Sequence, residues 1–427
     1  MPAGIYHFSS NLQATMKTHL FAMAGLFAVL SVASILDPAG SPDPMSKSDI
    51  RYGDFVPKAI PGYIERGMDW LAAAQYENGG WGAGSHSRQD VRDPHAVSID
   101  PATTAFSAMA LMRSGSTITS GKYRKNVSSA LNLLLDMVES APEGDRISNI
   151  TGTQPQAKLG QNIDVSIVTQ FLSEVLVHTA HDAELNRRTE EALSTCLEKL
   201  QGAQDADGSW NSAGGWAGVL QSAMANSALE MAQVAGAEVD EKALGKSREY
   251  QKDNVDSEGN VRTDAAAGVS LYAISGSQRA TAKEARRAQV LVEKGAKDGT
   301  LSAPVVSPDN LKQLGFDDGE AERLAEVYRK NKTSTEMLQS ESVLSGFGNN
   351  GGEEFLSYMM TSESLVLSED GAWDDWFNKM NTRLSKIQNQ DGSWSGHHCI
   401  TSPVFCTAAV IMTMTADRGS ISRDFNG

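Results

Sequence analysis

The sequence predicts an all-α fold, an (α/α)6 toroid of six outer/inner helix hairpins. A turn signature occurs three times at one spacing, and charged amphipathic segments alternate with apolar segments of helical period. The connections from charged to apolar segments are also long. The signature reads Gln75-Tyr76-Glu77-Asn78-Gly79-Gly80-Trp81, then Gln204-Asp205-Ala206-Asp207-Gly208-Ser209-Trp210, then Gln388-Asn389-Gln390-Asp391-Gly392-Ser393-Trp394. Gln, Gly and Trp hold the same offsets each time, and such repetition marks a repeat architecture.

Taken in order, the helical periods fall into six pairs. They are 58–77 with 101–114, 122–140 with 163–179, 184–203 with 217–236, 240–251 with 263–275, 280–294 with 353–367, and 372–389 with 403–416. The first member of each pair is the more charged, as in Glu184–Leu200. The second is rich in small and apolar residues, as in Thr104-Ala105-Phe106-Ser107-Ala108-Met109-Ala110-Leu111. Polar helices belong outside and apolar helices inside. In such a ring every outer-to-inner connection emerges on one face. Those connections are 78–100, 141–162, 205–216, 252–262, 295–352 and 390–402, and long loops on a rigid rim are where function concentrates. The fifth contains a charged helix at Glu320–Asn331, read as either a lid across the ring or a surface insertion.

Each part of the signature has a physical role. The Gln amide can satisfy carbonyls that a helix end leaves unpaired. The Gly permits a turn that a Cβ would forbid, and the Trp covers that turn with a large apolar face. The motif reads as a staple between helices, not as catalytic machinery.

Composition narrows the function. The 427 residues carry a formal net charge of -16, which argues against nucleic acid as a partner. The three cysteines, Cys196, Cys399 and Cys406, do not make a disulfide framework. Lys17 and His19 precede an apolar run from Leu20 to Leu30, and Ser31-Val32-Ala33 offers small residues for cleavage. Residues 1–36 therefore read as an export signal or an uncleaved anchor, placing the protein in the periplasm or cell envelope. Residues 37–57 are a Pro/Gly-bearing linker, 58–417 the toroid with its insertion at about 295–352, and 418–427 a C-terminal tail. No later segment is apolar enough to span a membrane, and the oligomeric state is left open.

The first signature extends backwards through Arg66-Gly67, Trp70-Leu71 and Gln75 to Gly79 and Trp81. This resembles the QW motif of the squalene–hopene and oxidosqualene cyclases, with a looser form in protein prenyltransferase β-subunits. The resemblance runs from about Pro57 to Asp417. It implies the same closed toroid and a small apolar, isoprenoid-type ligand in a central cavity, with transferase or isomerase chemistry if there is any. Class II cyclases protonate their substrate with the middle Asp of an Asp-x-Asp-Asp-Thr-Ala string. The matching residues here are Asp100-Pro101-Ala102-Thr103-Thr104-Ala105, so the proton-donor position is Ala102. Standard cyclase protonation, which needs a positioned acid, is not expected. Two other readings stand beside the isoprenoid one. The first is a non-catalytic protein-interaction scaffold, and the second a polysaccharide-active hydrolase or lyase.

Polar residues at the starts of inner helices are the candidate acids: Asp100, Asp164, and the pair Glu353 and Glu354. They serve either as helix caps or as a general acid/base pair. Four of the histidines fall in outer-to-inner connections, His86 and His95 in the first, His397 and His398 in the sixth. Ring closure makes these connections neighbours. His95, His397, His398 and Cys399 form a candidate metal set, with zinc the candidate ion. The prenyltransferase Asp-x-Cys ligand pair is absent. The alternative is that His397 and His398 hydrogen-bond loop backbone and Cys406 packs as a small buried hydrophobe.

The signal reading is checked by N-terminal sequencing of the exported protein, which is expected to begin after about Ala33. An intact Met1 in a cytosolic fraction would refute it.

Overall fold

The structure, a computed structural model, describes residues 56–348, 350–369 and 371–419. The segment read as an export signal or anchor, most of the residues read as a linker and nearly all of the tail lie outside the described residues. In chain order the helices are α1 (Gly62–Ala73), α2 (Pro101–Met112), α3 (Arg124–Glu139), α4 (Gln154–Leu159), α5 (Ile163–Val175), α6 (Ala183–Gly202), α7 (Gly218–Val234), α8 (Glu241–Lys252), α9 (Ser270–Lys297), α10 (Pro308–Gln313), α11 (Asp318–Met337), α12 (Glu341–Leu344), α13 (Gly352–Ser368), α14 (Ala372–Lys386) and α15 (Pro403–Met414). Among the described residues no strand forms, and none of the helices is long and apolar enough to cross a membrane.

Burial sorts the helices into two layers. Every residue of α2, α5 and α15 is buried, as is nearly all of α7 and α13 and the first half of α9. By contrast α1, α3, α6, α8 and α14 bury one face only. The buried helices pack in sequence, α2 on α5, α5 on α7, α7 on α9, α9 on α13 and α13 on α15, and α15 returns to α2. Six inner helices therefore close a ring with the polar helices outside.

The fourth and fifth hairpins differ from the sequence expectation. The inner helix expected at 263–275 and the outer helix expected at 280–294 are one continuous helix, α9. The break expected between 275 and 280 does not form, and Gly276 within it serves close packing: a Cβ there would lie 2.5 Å from the Gln251 side-chain oxygen. Helix α9 runs past the inner ring, and α11 returns antiparallel along it. Arg323 pairs with Glu284 at 2.6 Å, and the Asn331 amide donates to the Gln278 carbonyl at 3.0 Å. Lys330 pairs with Asp253 beyond α8, and Lys379 of α14 donates to the Gln339 carbonyl. The charged helix in 295–352 is thus neither lid nor ornament. It stands in the outer wall between α8 and α14, and the fifth rim connection shrinks to 338–351.

The repeated signature builds the same clasp three times. Gln75 donates to Gly79 O of its own turn at 2.8 Å and to Asn126 O of α3 at 3.0 Å. Gln204 does so to Gly208 O and to Ala243 O of α8. Gln388 does so to Gly392 O and to Tyr63 O of α1, at 2.8 and 2.7 Å. The indole nitrogens of Trp81, Trp210 and Trp394 donate to Leu71, Leu200 and Leu384 carbonyls at 2.8, 2.8 and 2.9 Å. Their backbone amides donate to Thr104, Ser222 and Thr407 hydroxyls on α2, α7 and α15. Gly79, Gly208 and Gly392 have φ of 93°, 90° and 99°, a region that side-chain-bearing residues avoid. A fourth turn shares this backbone without the signature. Gly259, φ 88°, donates to Asp256 O, and Asp256 N donates to Asn260 O, with Val255 and Val261 where Gln and Trp would stand.

The clasp from Gln388 to α1 closes the ring. It is reinforced by the Lys58 ion pair with Asp374 and by Lys58 N donating to Asp417 at 2.8 Å. Trp210→Ala is expected to lower stability by ~3–5 kcal/mol, the range for deleting a fully buried large aromatic. Gln388→Ala, which leaves two partly buried carbonyls unpaired, is expected to cost ~1–3 kcal/mol. Denaturant melts of both variants check this, and unchanged midpoints would show that the clasp is not holding the ring.

Candidate functional site

The N-termini of the inner helices meet at the rim under the outer-to-inner connections. Asp100 caps α2, with one carboxylate oxygen accepting from Thr103 N and the other from Ala83 N, both at 2.8 Å. Its burial raises its pKa despite these donors. Asp164, in the first turn of α5, accepts from the Gln156 amide at 2.7 Å, and its second oxygen has no partner. Burial, then the charge of Asp100, pushes it up to about 8.

Glu354 closes the cap of α13. It accepts from Gly351 N at 2.9 Å, from Phe347 N at 3.0 Å and from the Tyr272 hydroxyl at 2.6 Å. Its neighbour Glu353 accepts from Ile400 N at 3.2 Å and has one oxygen without a partner. Burial, then the charge of Glu354, pushes Glu353 up to about 7. All four sequence-named acids are buried at helix starts. Asp100 and Glu354 make cap bonds, while Asp164 and Glu353 accept from Gln156 and Ile400, so the structure sets them as two buried pairs at helix starts, not as an open acid/base dyad.

The metal set does not assemble. His95 is exposed, its ring edge-on to Tyr76 at 5.3 Å between centroids. His397 is exposed and its backbone nitrogen donates to Asn350 O at 2.8 Å, while the His398 ring packs on Phe347. Cys399 is buried with φ 60°, and burial, then the charge of Glu353, pushes its thiol up to about 12. Among the described residues no three His, Cys, Asp or Glu side chains gather closely enough to hold a metal ion. The expected neighbourhood of the first and sixth connections does form, but through His86. The Gln89 amide nitrogen lies 2.8 Å from His86 Nδ1 and donates to Cys399 O at 2.8 Å.

Residues not singled out in the sequence knit the rim. The Gln154 side-chain oxygen accepts from Thr401 N at 2.7 Å and Ser402 N at 3.2 Å. Arg92 donates to Thr401 O, and Thr401 Oγ1 donates to Gln89 O at 2.8 Å. Above this network two large aromatic side chains stay in solvent. Phe347 is 55 % exposed and Trp216 is 38 % exposed, in edge contact at 5.1 Å. Lys158 lies 5.2 Å over the Trp216 ring, close enough to Glu353 and Cys399 to act on both. Beside them opens a polar cleft of about 400 Å3, lined by Arg92, Asn350, Asn389, Asp391, Ser395 and His397 among others. The available sequence signal was the glycines that flank both aromatics, Gly214-Gly215-Trp216 and Gly346-Phe347-Gly348. An aromatic on a glycine turn is not packed along a helix.

Compared with known proteins, the chain matches no protein-family model and no curated protein.

The acids make stability depend on pH in a definable direction. Asp164 has an ordinary pKa of 3.8 and a folded value of about 8. Below about 3.8 both states are protonated. As pH rises towards 8 the unfolded chain releases the proton first, so the contribution of Asp164 to stability is lost across that window. Asp164→Asn, which keeps an oxygen for Gln156, is therefore expected to melt higher than the native chain at pH 8, with the gap closing near pH 4. Thermal melts at both pH values check this, and a gap that does not change with pH would exclude the buried acid as its cause.

Proposed function

We propose that this protein is an exported, non-catalytic α/α-ring scaffold that binds its partner on the rim built by the outer-to-inner connections. The observation that carries this reading is the filled centre. Helices α2, α5 and α15 are buried on every face, including those turned towards the axis, and Phe106 of α2 meets Phe405 of α15 at 5.1 Å across their junction. A lumen large enough for an isoprenoid would leave such faces exposed to it. A general acid must also reach its substrate, and each sequence-named acid lies within a buried helix start.

Kinship with the terpenoid cyclase and prenyltransferase superfamily is part of the proposal. It rests on the thrice-repeated clasp and the ring of inner helices. Export rests on the residues around 17–33. The isoprenoid reading keeps the motif resemblance as its support and lacks a place for the ligand.

Incubation of the mature chain with squalene and with geranylgeranyl diphosphate tests the choice. Neither product nor a shift in melting temperature is expected. A cyclised or transferred product, or saturable binding of either compound, would overturn the scaffold reading.

A further inference from the structure

The rim carries two features that a purely structural cap does not need. One is a pair of solvent-exposed aromatic rings, and the other is a polar cleft beside them. Phe347 is held out rigidly. Its backbone nitrogen is fixed by buried Glu354, and its ring makes edge contacts with Trp216 at 5.1 Å and with His398 at 5.3 Å. Trp216 is equally fixed, because Ala217 N donates to Lys158 O at 2.7 Å and a Cβ on Gly215 would lie 2.4 Å from the Leu159 backbone. Exposed apolar side chains that adjoin in one patch with a polar rim mark interaction sites, whereas scattered ones do not.

The platform and the cleft are continuous. His398 touches Phe347, and adjacent His397 donates its backbone nitrogen to Asn350 O, with both His397 and Asn350 lining the cleft. The cleft side chains are two amides, two hydroxyls, one carboxylate, one guanidinium and one imidazole, with Ile387 and Pro403 beside them, a mixture of donors and acceptors with no dominant charge. Arg92 is already committed to Thr401 O and Lys158 to the Trp216 ring.

We propose that this platform and cleft form a binding site for a neutral oligosaccharide. The C–H face of one pyranose ring lies on Phe347 with the perpendicular Trp216 ring against its edge, and the hydroxyls of the next exchange hydrogen bonds with Asn350, Asn389 and Ser395. Aromatic faces supply apolar contact with a polar edge nearby, and a few convergent polar groups fix orientation. The choice of a neutral sugar follows from charge. A chain of net charge -16 repels a polyanion, and the cations at the site are already partnered. The inference rests on the rim being the working face of the scaffold, and it adds the class of ligand.

The test is a glycan microarray of neutral hexose, N-acetylhexosamine and uronate oligosaccharides probed with the mature chain, followed by calorimetric titration with the best neutral hit. Binding to neutral members is expected. Trp216→Ala and Phe347→Ala are each expected to weaken it by about two- to tenfold, in line with the loss of one aromatic contact. Trp216→Phe, which keeps a ring, is expected to retain most of it. Thermal melts of the variants separate lost binding from lost fold, and Phe347→Ala stands as the second probe if Trp216→Ala unfolds. Binding to uronates alone, no binding to any glycan, or unchanged affinity in both folded alanine variants would overturn the proposal. None of these results would by itself restore an isoprenoid lumen, which the squalene and diphosphate incubations decide separately.

Discussion

Each repeated Gln–Gly–Trp clasp fastens the end of one outer helix to the start of the next and, through a hydroxyl, to the inner helix behind it. A single glutamine amide bridges two carbonyls, one in its own turn and one on the neighbouring helix. The indole nitrogen ties the same turn back to the preceding helix. These bonds satisfy carbonyls that helix ends would otherwise leave unpaired in a poorly solvated layer, where each unmade bond costs about 1–3 kcal/mol. The last clasp reaches from the sixth hairpin to the first, across a sequence separation of 325 residues. It adds to the packing of α15 against α1 and α2 and to the Lys58 contacts that join the sixth hairpin to the first.

A closed ring of inner helices must then dispose of its axis. In this chain small residues let the helices approach until their facing sides exclude water, and the ring becomes core, not vessel. The far end is sealed in a different way. Arg279 is fully buried between Glu230 at 2.9 Å and Glu363 at 3.2 Å. Burial would raise the Glu230 pKa, but Arg279 and its neighbours outweigh it and bring it down to about 2. Such a pair is costly to break from one side and weakly stabilising as a whole, so it fixes which groups meet more than it adds stability. With the axis filled and the far end pinned, the rim is where buried acids, exposed aromatic rings and a polar cleft come together.

The layer structure was readable because it depends on periodicity. Alternating charged and apolar helices specify outside and inside, and the fixed Gln–Gly–Trp offsets specify where outer helices end. The fourth and fifth hairpins were misread where a glycine serves packing. Gly276 looks like a turn residue, and its role becomes clear only when Gln251 is seen against it. The fourth turn escaped because Val255 and Val261 replace the side chains that carry the signature, while the backbone that Gly259 permits is unchanged. At the site, Asp100, Asp164, Glu353 and Glu354 were found because acids favour helix starts. Their pairing was not visible, because it depends on which helix ends converge in space. The aromatic platform was missed for the same reason: Trp216 and Phe347 lie far apart in sequence and meet only when the third and fifth connections fold over one rim.

The buried acids explain why that rim can be rigid. A helix N-terminus favours a carboxylate by about 0.3–1 kcal/mol, whereas removing a charge from water costs several kcal/mol. Burial wins at Asp164 and Glu353, both of which hold protons well above the ordinary carboxylate range. A neutral carboxylic acid can cap a helix and fill space without demanding a counter-charge. Two acids can therefore sit side by side beneath the rim without the repulsion that would open it. Glu354 illustrates the consequence: its three donors come from Gly351, Phe347 and Tyr272, so one side chain joins the α13 cap, the loop that presents an exposed aromatic and the inner helix α9. The exposed ring is thus anchored from below by the buried polar layer, and its position is set by the fold.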